Sequence, residues 1–298
     1  MFRIKARANA GFCYNSGMVI DGKKIGAQIL REARIARARV RRPVNLGAVL
    51  VGDDDASVHF LRQKEKACRD AGIGFVLRRI PASISRARLS HEVKKMVRDA
   101  RISGLIVQLP IPKRFGDPGE ILDLIPRAKD PDVLGSEALG AFAQGTGLLP
   151  PIVGAINYVL RKYRIRPAGK SVVIVGRGRL VGKPAAIWFT NQGSTVTVLN
   201  SRTKRLEKYL SDADIVVTGA GKPSLIRGNM LKKGTVVFDV GYALHQGKPA
   251  GDADWKSVSR KARFVTPVPG GMGPMGVAML IWNVVQVVDR HGIKGAVE

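Results

Sequence analysis

Lys64 stands four residues after Phe60 and four before Cys68, in a segment, Val51-Gly-Asp-Asp-Asp-Ala-Ser-Val-His-Phe60-Leu-Arg-Gln-Lys64, that runs off a short apolar stretch into a helical pattern. Residues four apart share a helical face, so a ring, an amine and a thiol would line one stripe. Read alone, a lysine on a helix is a solvated charge. Sunk beside apolar walls it would lose hydration, its pKa would fall, and the amine would suit proton transfer near neutral pH.

A second constellation follows an apolar run: Val172-Val-Ile-Val-Gly176-Arg177-Gly178-Arg-Leu-Val181-Gly182-Lys-Pro184. Glycines after a buried strand let the backbone turn tightly and aim amide N–H groups, with the dipole of the next helix, at a pyrophosphate. The spacing, G-x-G-x-x-x-G, is one residue longer than the commonest dinucleotide fingerprint, and a plain strand-to-helix turn is the alternative. After the next apolar run, Asn200-Ser201-Arg202-Thr203-Lys204 carries hydroxyls and cations where NAD enzymes usually place an acid on the ribose diol. With Arg177, this favours a 2′-phosphate and hence NADP, against a merely solvated basic turn. Near the other end, Thr266-Pro-Val-Pro269-Gly270-Gly271-Met-Gly-Pro-Met275 interleaves φ-fixing prolines with glycines that let backbone press close to a ligand.

These groups need a scaffold, and 298 residues are enough for two α/β domains. An opening helix is predicted over Lys23–Val40, with a basic face of Arg31, Arg34 and Arg37. Strands at Leu46–Val51, Phe75–Ile80 and Gly104–Leu109 then alternate with helices at Ala56–Ala71 and Arg86–Ala100, giving a parallel βαβαβ unit with ligand groups gathered at the carboxyl ends of its strands. Prolines from Pro110 to Pro151 mark the junction. Beyond it, helix Val153–Tyr163 leads to strands Ser171–Val175, Thr195–Leu199, Ile215–Gly219, Thr235–Val240 and Phe264–Val265, with helices at Val181–Asn191 and Lys204–Leu210 and a final helix after the Pro/Gly-rich loop. The expected division is 18–150, completed by 275–298, and 151–274.

Composition narrows the partners. Hydrophobic residues at 45% and charged residues at 24% describe an ordered globular chain. No run reaches the roughly 18 uninterrupted apolar residues of a membrane span, and Val277 to Val288, broken by Asn283 and Gln286, reads as amphipathic. Cys13 and Cys68 are too few for a disulfide framework or a thiolate zinc site, and the four histidines lack ligand spacing, so no metal is expected and a reducing, cytoplasmic setting fits. Fifty basic residues against 23 acids leave a net charge of +27, which attracts polyanions. With 6% aromatic residues and no known nucleic-acid motif, no specific nucleic-acid partner is expected. Residues 1–17 hold Arg3, Lys5 and Arg7 without an acid and precede a second methionine, Met18; they are expected to be a disordered extension, with a targeting segment as the alternative.

In combination these pieces resemble the bifunctional methylenetetrahydrofolate dehydrogenase/cyclohydrolase family from about Met18 to His291. The resemblance is carried by Asp21-Gly-Lys, Val51-Gly through Lys64-Glu-Lys-Ala-Cys68, Gly104-Leu-Ile-Val-Gln108-Leu-Pro110-Ile-Pro112, Lys129-Asp-Pro-Asp132, Gly176-Arg through Pro184, Ala213-Asp-Ile-Val-Val, Asp239-Val-Gly241, Gly251-Asp252 and Pro267 through Met275. It implies an α/β folate-binding catalytic domain completed by the C-terminal helix, an inserted Rossmann-like NADP domain, and a homodimer. The implied activity is NADP-dependent oxidation of 5,10-methylene-tetrahydrofolate, followed by hydrolysis of the methenyl product to 10-formyl-tetrahydrofolate. By matching position it implies Lys64 as acid/base group, Gln108 as its orienting partner and Asp132 as ligand of the pterin amino groups. Phe60, Pro269, Gly270 and Gly271 would line the folate and nicotinamide site. Gly176, Arg177, Gly178, Val181, Gly182, Ser201, Arg202 and Gly241 would hold the dinucleotide, with Arg177 and Ser201 on the 2′-phosphate. Three departures fall at this site: Phe60 where the family usually has Tyr, Asp130-Pro-Asp132-Val133 for Asp-Val-Asp-Gly, and Leu149-Pro-Pro-Ile152 for Pro-Cys-Thr-Pro. They leave open a catalytically weakened homologue, or a dehydrogenase with poor cyclohydrolase activity.

Overall fold

The computed structural model describes residues 18–289; the expected extension at 1–17 and the stretch containing His291 lie outside them. The described residues divide into two compact units, one of residues 23–154 with 274–289, the other of residues 18–22 with 155–273.

The first unit is built on three parallel strands with Asn45–Val51 in the centre, Gly74–Ile80 on one side and Gly104–Val107 on the other. Successive side chains on a strand face opposite ways. Leu46, Ala48 and Leu50 accordingly pack in a core with Leu61, Cys68, Ile281 and Val284, while Val49 and Val51 join Leu89, Val93, Leu105 and Ile121. Both faces are covered, which explains the unbroken apolar run of the central strand. Helix Asp55–Asp70 leaves the carboxyl end of that strand, its first turn capped by Asp54, whose carboxylate accepts from the Ser57 amide at 2.9 Å. Helix Arg86–Arg98 follows the edge strand. The strand predicted to run to Leu109 stops at Val107, just ahead of Pro110, which has no N–H to give a ladder.

Helix Met272–Asp289 is the last element among the described residues. With a mean hydropathy of 1.3 over its 18 residues it is long and apolar enough to cross a membrane, while its less buried positions Trp282, Gln286 and Asp289 share one stripe. Leu280, Ile281, Val284, Val285 and Val288 are each under 5% exposed inside the first unit's core, so the apolar surface is spent on packing. Its Asn283 is buried too, and donates to the Pro131 and Leu149 carbonyls at 2.9 Å each.

The second unit holds six parallel strands in the order Met18–Val19, Phe264–Val265, Val236–Asp239, Ile215–Thr218, Ser171–Val175, Thr195–Leu199. From Ser171–Val175 the chain passes to one neighbour, then returns to pair on the other side. That reversal of strand order creates the crevice where ligands bind in doubly wound sheets. Residues 18–22, expected with the first domain, fall here, because Met18 and Ile20 donate to the Arg263 and Val265 carbonyls at 2.9 and 3.0 Å and extend the sheet edge. A two-residue strand is too short to leave a periodic signal. The sequence pattern does not announce helix Ser136–Ala143, within the proline-punctuated junction, the short helices Gly119–Leu122 and Trp255–Val258, or the antiparallel hairpin Ala243–His245 with Lys248–Ala250. The helix predicted from Lys204 starts at Leu206, since Arg205 is left-handed (φ 55°).

Candidate active site

The first unit gathers its chemistry at the carboxyl ends of its strands. Lys64 lies in the third turn of the helix leaving the central strand, and Gln108 is the first residue past Gly104–Val107, its amide still bonded to the Val49 carbonyl at 2.9 Å. The two side chains meet: Lys64 Nζ donates to Gln108 Oε1 at 2.9 Å, and Gln108 Nε2 donates to the Leu109 carbonyl at 2.6 Å. Because its own NH₂ is held by backbone, the Gln108 amide can present only its oxygen to the lysine.

Asp132 completes the group from a loop. Burial pulls the Lys64 amine below the usual lysine range, and the nearby Asp132 charge draws it part of the way back. The same burial pushes the Asp132 carboxyl up, with Lys64 opposing. Each group thus steadies the charged form of the other in a site that disfavours both charges. One turn on, the buried Cys68 thiol is pushed up to about 12, chiefly by desolvation, which keeps it protonated and unreactive. Phe60, one turn before Lys64, is partly exposed.

What fixes Asp132 is its neighbour Asp130, a residue that sequence reasoning gave no role. The Asp130 carboxylate, 2% exposed, accepts the amides of Val133, Leu134 and Gly135 at 2.8, 2.9 and 2.8 Å. Burial nevertheless raises its pKa to about 6, with repulsion from Asp132 adding to the shift. Val133 is held left-handed (φ 57°), a conformation that costs a β-branched residue on the order of 1–2 kcal/mol. The departure from Gly at this position is therefore accommodated as strain, clamped by Asp130 from one side and by Asn283, through Pro131, from the other.

In the second unit, the strand Ser171–Val175 ends in a turn so tight that a Cβ on Gly182 would lie 2.0 Å from the Gly176 carbonyl oxygen. Gly176 (φ 109°) is equally constrained, since a Cβ there would stand 2.7 Å from the Gly219 carbonyl across the crevice. Gly178 faces open space, as a backbone cradle for phosphate requires. Val181 precedes helix Gly182–Asn191, one residue later than predicted. Past the adjacent strand, Asn200 Oδ1 accepts the Arg202 amide at 2.9 Å, and the Asn200 amide donates to Thr203 Oγ1 at 3.0 Å. That turn leaves Ser201 and Arg202 exposed, beside a strand end carrying the exposed Arg177.

Two buried aspartates brace the same end of this sheet. Asp252 accepts from Thr218 Oγ1 and the Ala220 amide at 2.6 Å and from the Lys222 amide at 2.7 Å, and Asp239 accepts the amides of Gly241 and Ala253 at 2.9 Å. Gly241 thus serves a structural purpose, its amide pinned to Asp239 with the Asp252 carboxylate against its Cα. Pro269, Gly270 and Gly271 belong to this unit as well, in the loop after Phe264–Val265, whereas Lys64, Gln108, Asp132 and Phe60 belong to the first.

Each of the two units matches a known family model. The model for the tetrahydrofolate dehydrogenase/cyclohydrolase catalytic domain matches residues 20–132, and that for the NAD(P)-binding domain of the same proteins matches residues 150–292. The chain belongs to the tetrahydrofolate dehydrogenase/cyclohydrolase family. Among its relatives, the bifunctional protein FolD of Nitrosospira multiformis is 38% identical over 280 residues, covering 92% of this chain and 97% of that one. FolD of Moorella thermoacetica is also 38% identical, covering 91% and 99%. In fold, the chain resembles the crystal structure of the bifunctional FolD enzyme from Campylobacter jejuni, with a TM-score of 0.87, 34% identity and coverage of 92% and 99%. It is as close to the Trypanosoma brucei enzyme, solved with NADP cofactor and inhibitor, with a TM-score of 0.87, 30% identity and coverage of 93% and 99%. Both domains of the tetrahydrofolate dehydrogenase/cyclohydrolase family are thus present in one chain.

Proposed function

We propose that this protein oxidises 5,10-methylene-tetrahydrofolate with NADP and hydrolyses the resulting 5,10-methenyl-tetrahydrofolate to 10-formyl-tetrahydrofolate. The observation that carries the reading is the desolvated Lys64 amine on the Gln108 oxygen beside Asp132, in a chain with both domains of a dehydrogenase/cyclohydrolase. NADP would accept the hydride from the methylene carbon. Arg177 and Ser201 suit its 2′-phosphate, a cation and a hydroxyl exposed at neighbouring strand ends, while the amides of residues 176–182 suit its pyrophosphate.

For hydrolysis, a neutral Lys64 amine takes a proton from the water that adds to the methenyl carbon. It returns that proton to the ring nitrogen as the carbon–nitrogen bond opens, and the hydroxyl proton of the adduct leaves to solvent as the formyl carbonyl forms. Gln108 keeps the amine in place through both transfers. A carboxylate at Asp132 accepts two parallel N–H bonds from the pterin edge, and Phe60 supplies an aromatic face. Pro269, Gly270 and Gly271 are assigned to the folate and nicotinamide. A homodimer acting in the cytoplasm completes the proposal, without a specific nucleic-acid partner.

The test is to mix purified protein with methylene-tetrahydrofolate and either NADP or NAD, following the absorbance of reduced nucleotide and methenyl product. Turnover with NADP exceeding that with NAD is expected, and no turnover with either removes the reading. A second reading, a binding protein with weakened chemistry, is favoured by the missing phenol at Phe60 and the strained Val133; calorimetric folate binding without turnover would support it. Arg177→Ala is expected to raise the KM for NADP about tenfold or more and leave that for NAD within a factor of two, since one charge-assisted bond to a phosphate contributes about 1.5–3 kcal/mol. Equal changes for both nucleotides would remove Arg177 from the 2′-phosphate site.

A further inference from the structure

Helix Met272–Asp289 packs by its apolar side chains, yet Asn283 sits 5% exposed among Leu280, Ile281, Val284, Val285 and Val287. Burying a side-chain amide costs free energy that only hydrogen bonds return. Asn283 spends both N–H bonds of its NH₂ group, one on the Pro131 carbonyl and one on the Leu149 carbonyl, each at 2.9 Å. Both acceptors lie outside the strands and helices, in loops whose places no ladder fixes.

The two bonds do different work. Leu149 leads into a segment packed on the same helix: a Cβ on Gly276 would stand 2.8 Å from Ile152, and one on Gly154 would stand 3.3 Å from Met279. Gly276, Met279 and Asn283 follow at steps of three and four residues and so form one stripe. Bonded to this seated segment, the Asn283 amide cannot rotate, and its second N–H has one direction left.

That direction is the Asp132 loop. The carbonyl it meets belongs to the planar peptide that joins Pro131 to Asp132, so the start of Asp132 is fixed. The Pro131 ring is held as well, since a Cβ on Gly104, the first residue of the strand leading to Gln108, would lie 3.2 Å from it and 3.8 Å from Val284. Downstream, Asp130 holds the amides of Val133, Leu134 and Gly135. Asp132 is therefore pinned on both sides through its backbone, while its carboxylate stays partly exposed in the field of Lys64.

We propose that Asn283 is a positioning residue for this site, fixing the Pro131 carbonyl so that the Asp132 carboxylate faces both the Lys64 amine and the edge of the bound folate. The inference rests on the folate reading above. A tie that served the core alone would support the fold without acting on the charge beside Lys64.

The experiment uses Asn283→Leu, which removes both donors at similar volume, and Asn283→Gln, which keeps the NH₂ group one methylene further out. Each is made alone and together with Asp132→Asn. Hydrolysis of methenyl-tetrahydrofolate is measured across pH, well below the thermal midpoint of each variant, with the Kd for NADP alongside. Asn283→Leu is expected to raise the folate KM about tenfold, as when a hydrogen bond to a charged group is lost. It should also move the rising limb of kcat to lower pH, the direction in which loss of the Asp132 charge moves it, and leave the NADP Kd within about twofold. Asn283→Gln should show smaller changes of the same sign. In the Asp132→Asn background either substitution should change the folate KM by less than about twofold, because residues acting through one group are not additive.

An unchanged folate KM and pH limb in Asn283→Leu would overturn the proposal. So would a loss of equal size with and without the Asp132 carboxylate, which marks a core tie. Should Asn283→Leu not fold, the same two criteria are applied to Asn283→Gln. A wild-type chain that turns over no folate would overturn the folate reading and this inference with it, whereas the failures above leave that reading standing.

Discussion

Lys64→Met should lower kcat for methenyl-tetrahydrofolate hydrolysis by about 10²–10⁴-fold, the range expected when a positioned proton-transfer group is deleted. Methionine preserves most of the aliphatic stem and removes the amine, and the substitution leaves Gln108 without its 2.9 Å donor. Dehydrogenase activity should fall less, because hydride leaves the methylene carbon without a proton passing through residue 64. NADP affinity should stay within a factor of two, as Lys64 and the residues assigned to the nucleotide lie on different units. Single-substrate hydrolysis assays, with NADP binding by calorimetry, check both. An unchanged hydrolysis rate would exclude Lys64 as the acid/base group.

Asp132→Asn should act twice. Replacing a carboxylate that accepts two N–H bonds with an amide that accepts one and opposes the other costs about 1.5–3 kcal/mol, so the KM for either folate should rise about 10–100-fold. The second effect is electrostatic. Asp132 holds the Lys64 pKa up against desolvation, so removing its charge lets that pKa fall further below the ordinary lysine value. If the working base is the neutral amine, kcat rises with pH through the Lys64 pKa, and the limb in the variant lies at lower pH than in the wild type. Profiles of kcat against pH for both proteins measure the displacement. A limb that stays fixed or moves to higher pH would break the link between the two residues.

The architecture was largely legible because its signals are repetitive. The inner strands Asn45–Val51, Ser171–Val175, Ile215–Thr218 and Val236–Asp239 are buried on both faces and read as largely apolar runs, and Gly176 and Gly182 are required by a turn in which no side chain fits. Lys64 could be named from its helical stripe, but Gln108 and Asp132 came only through the family resemblance, since a lone amide and a loop carboxylate carry no periodicity. Hidden altogether were the groups that hold the site in place. Asp130 binds three amides within five residues, and Asn283 ties the Asp132 loop to a helix 152 residues on. Contacts of this kind depend on where backbone amides and carbonyls fall in space. Met18–Val19 shows the same limit at the level of the fold, a strand defined by its partner and not by its own two residues.

At the centre of the account is one desolvated amine. Titration of the Lys64 side chain by NMR, with ¹³C-labelled lysine and the signal assigned by its absence in Lys64→Met, measures it directly. A midpoint well below the ordinary lysine value of about 10.4 is predicted, moving lower still in Asp132→Asn. A Lys64 resonance that titrates together with the surface lysines, and ignores Asp132, would contradict it.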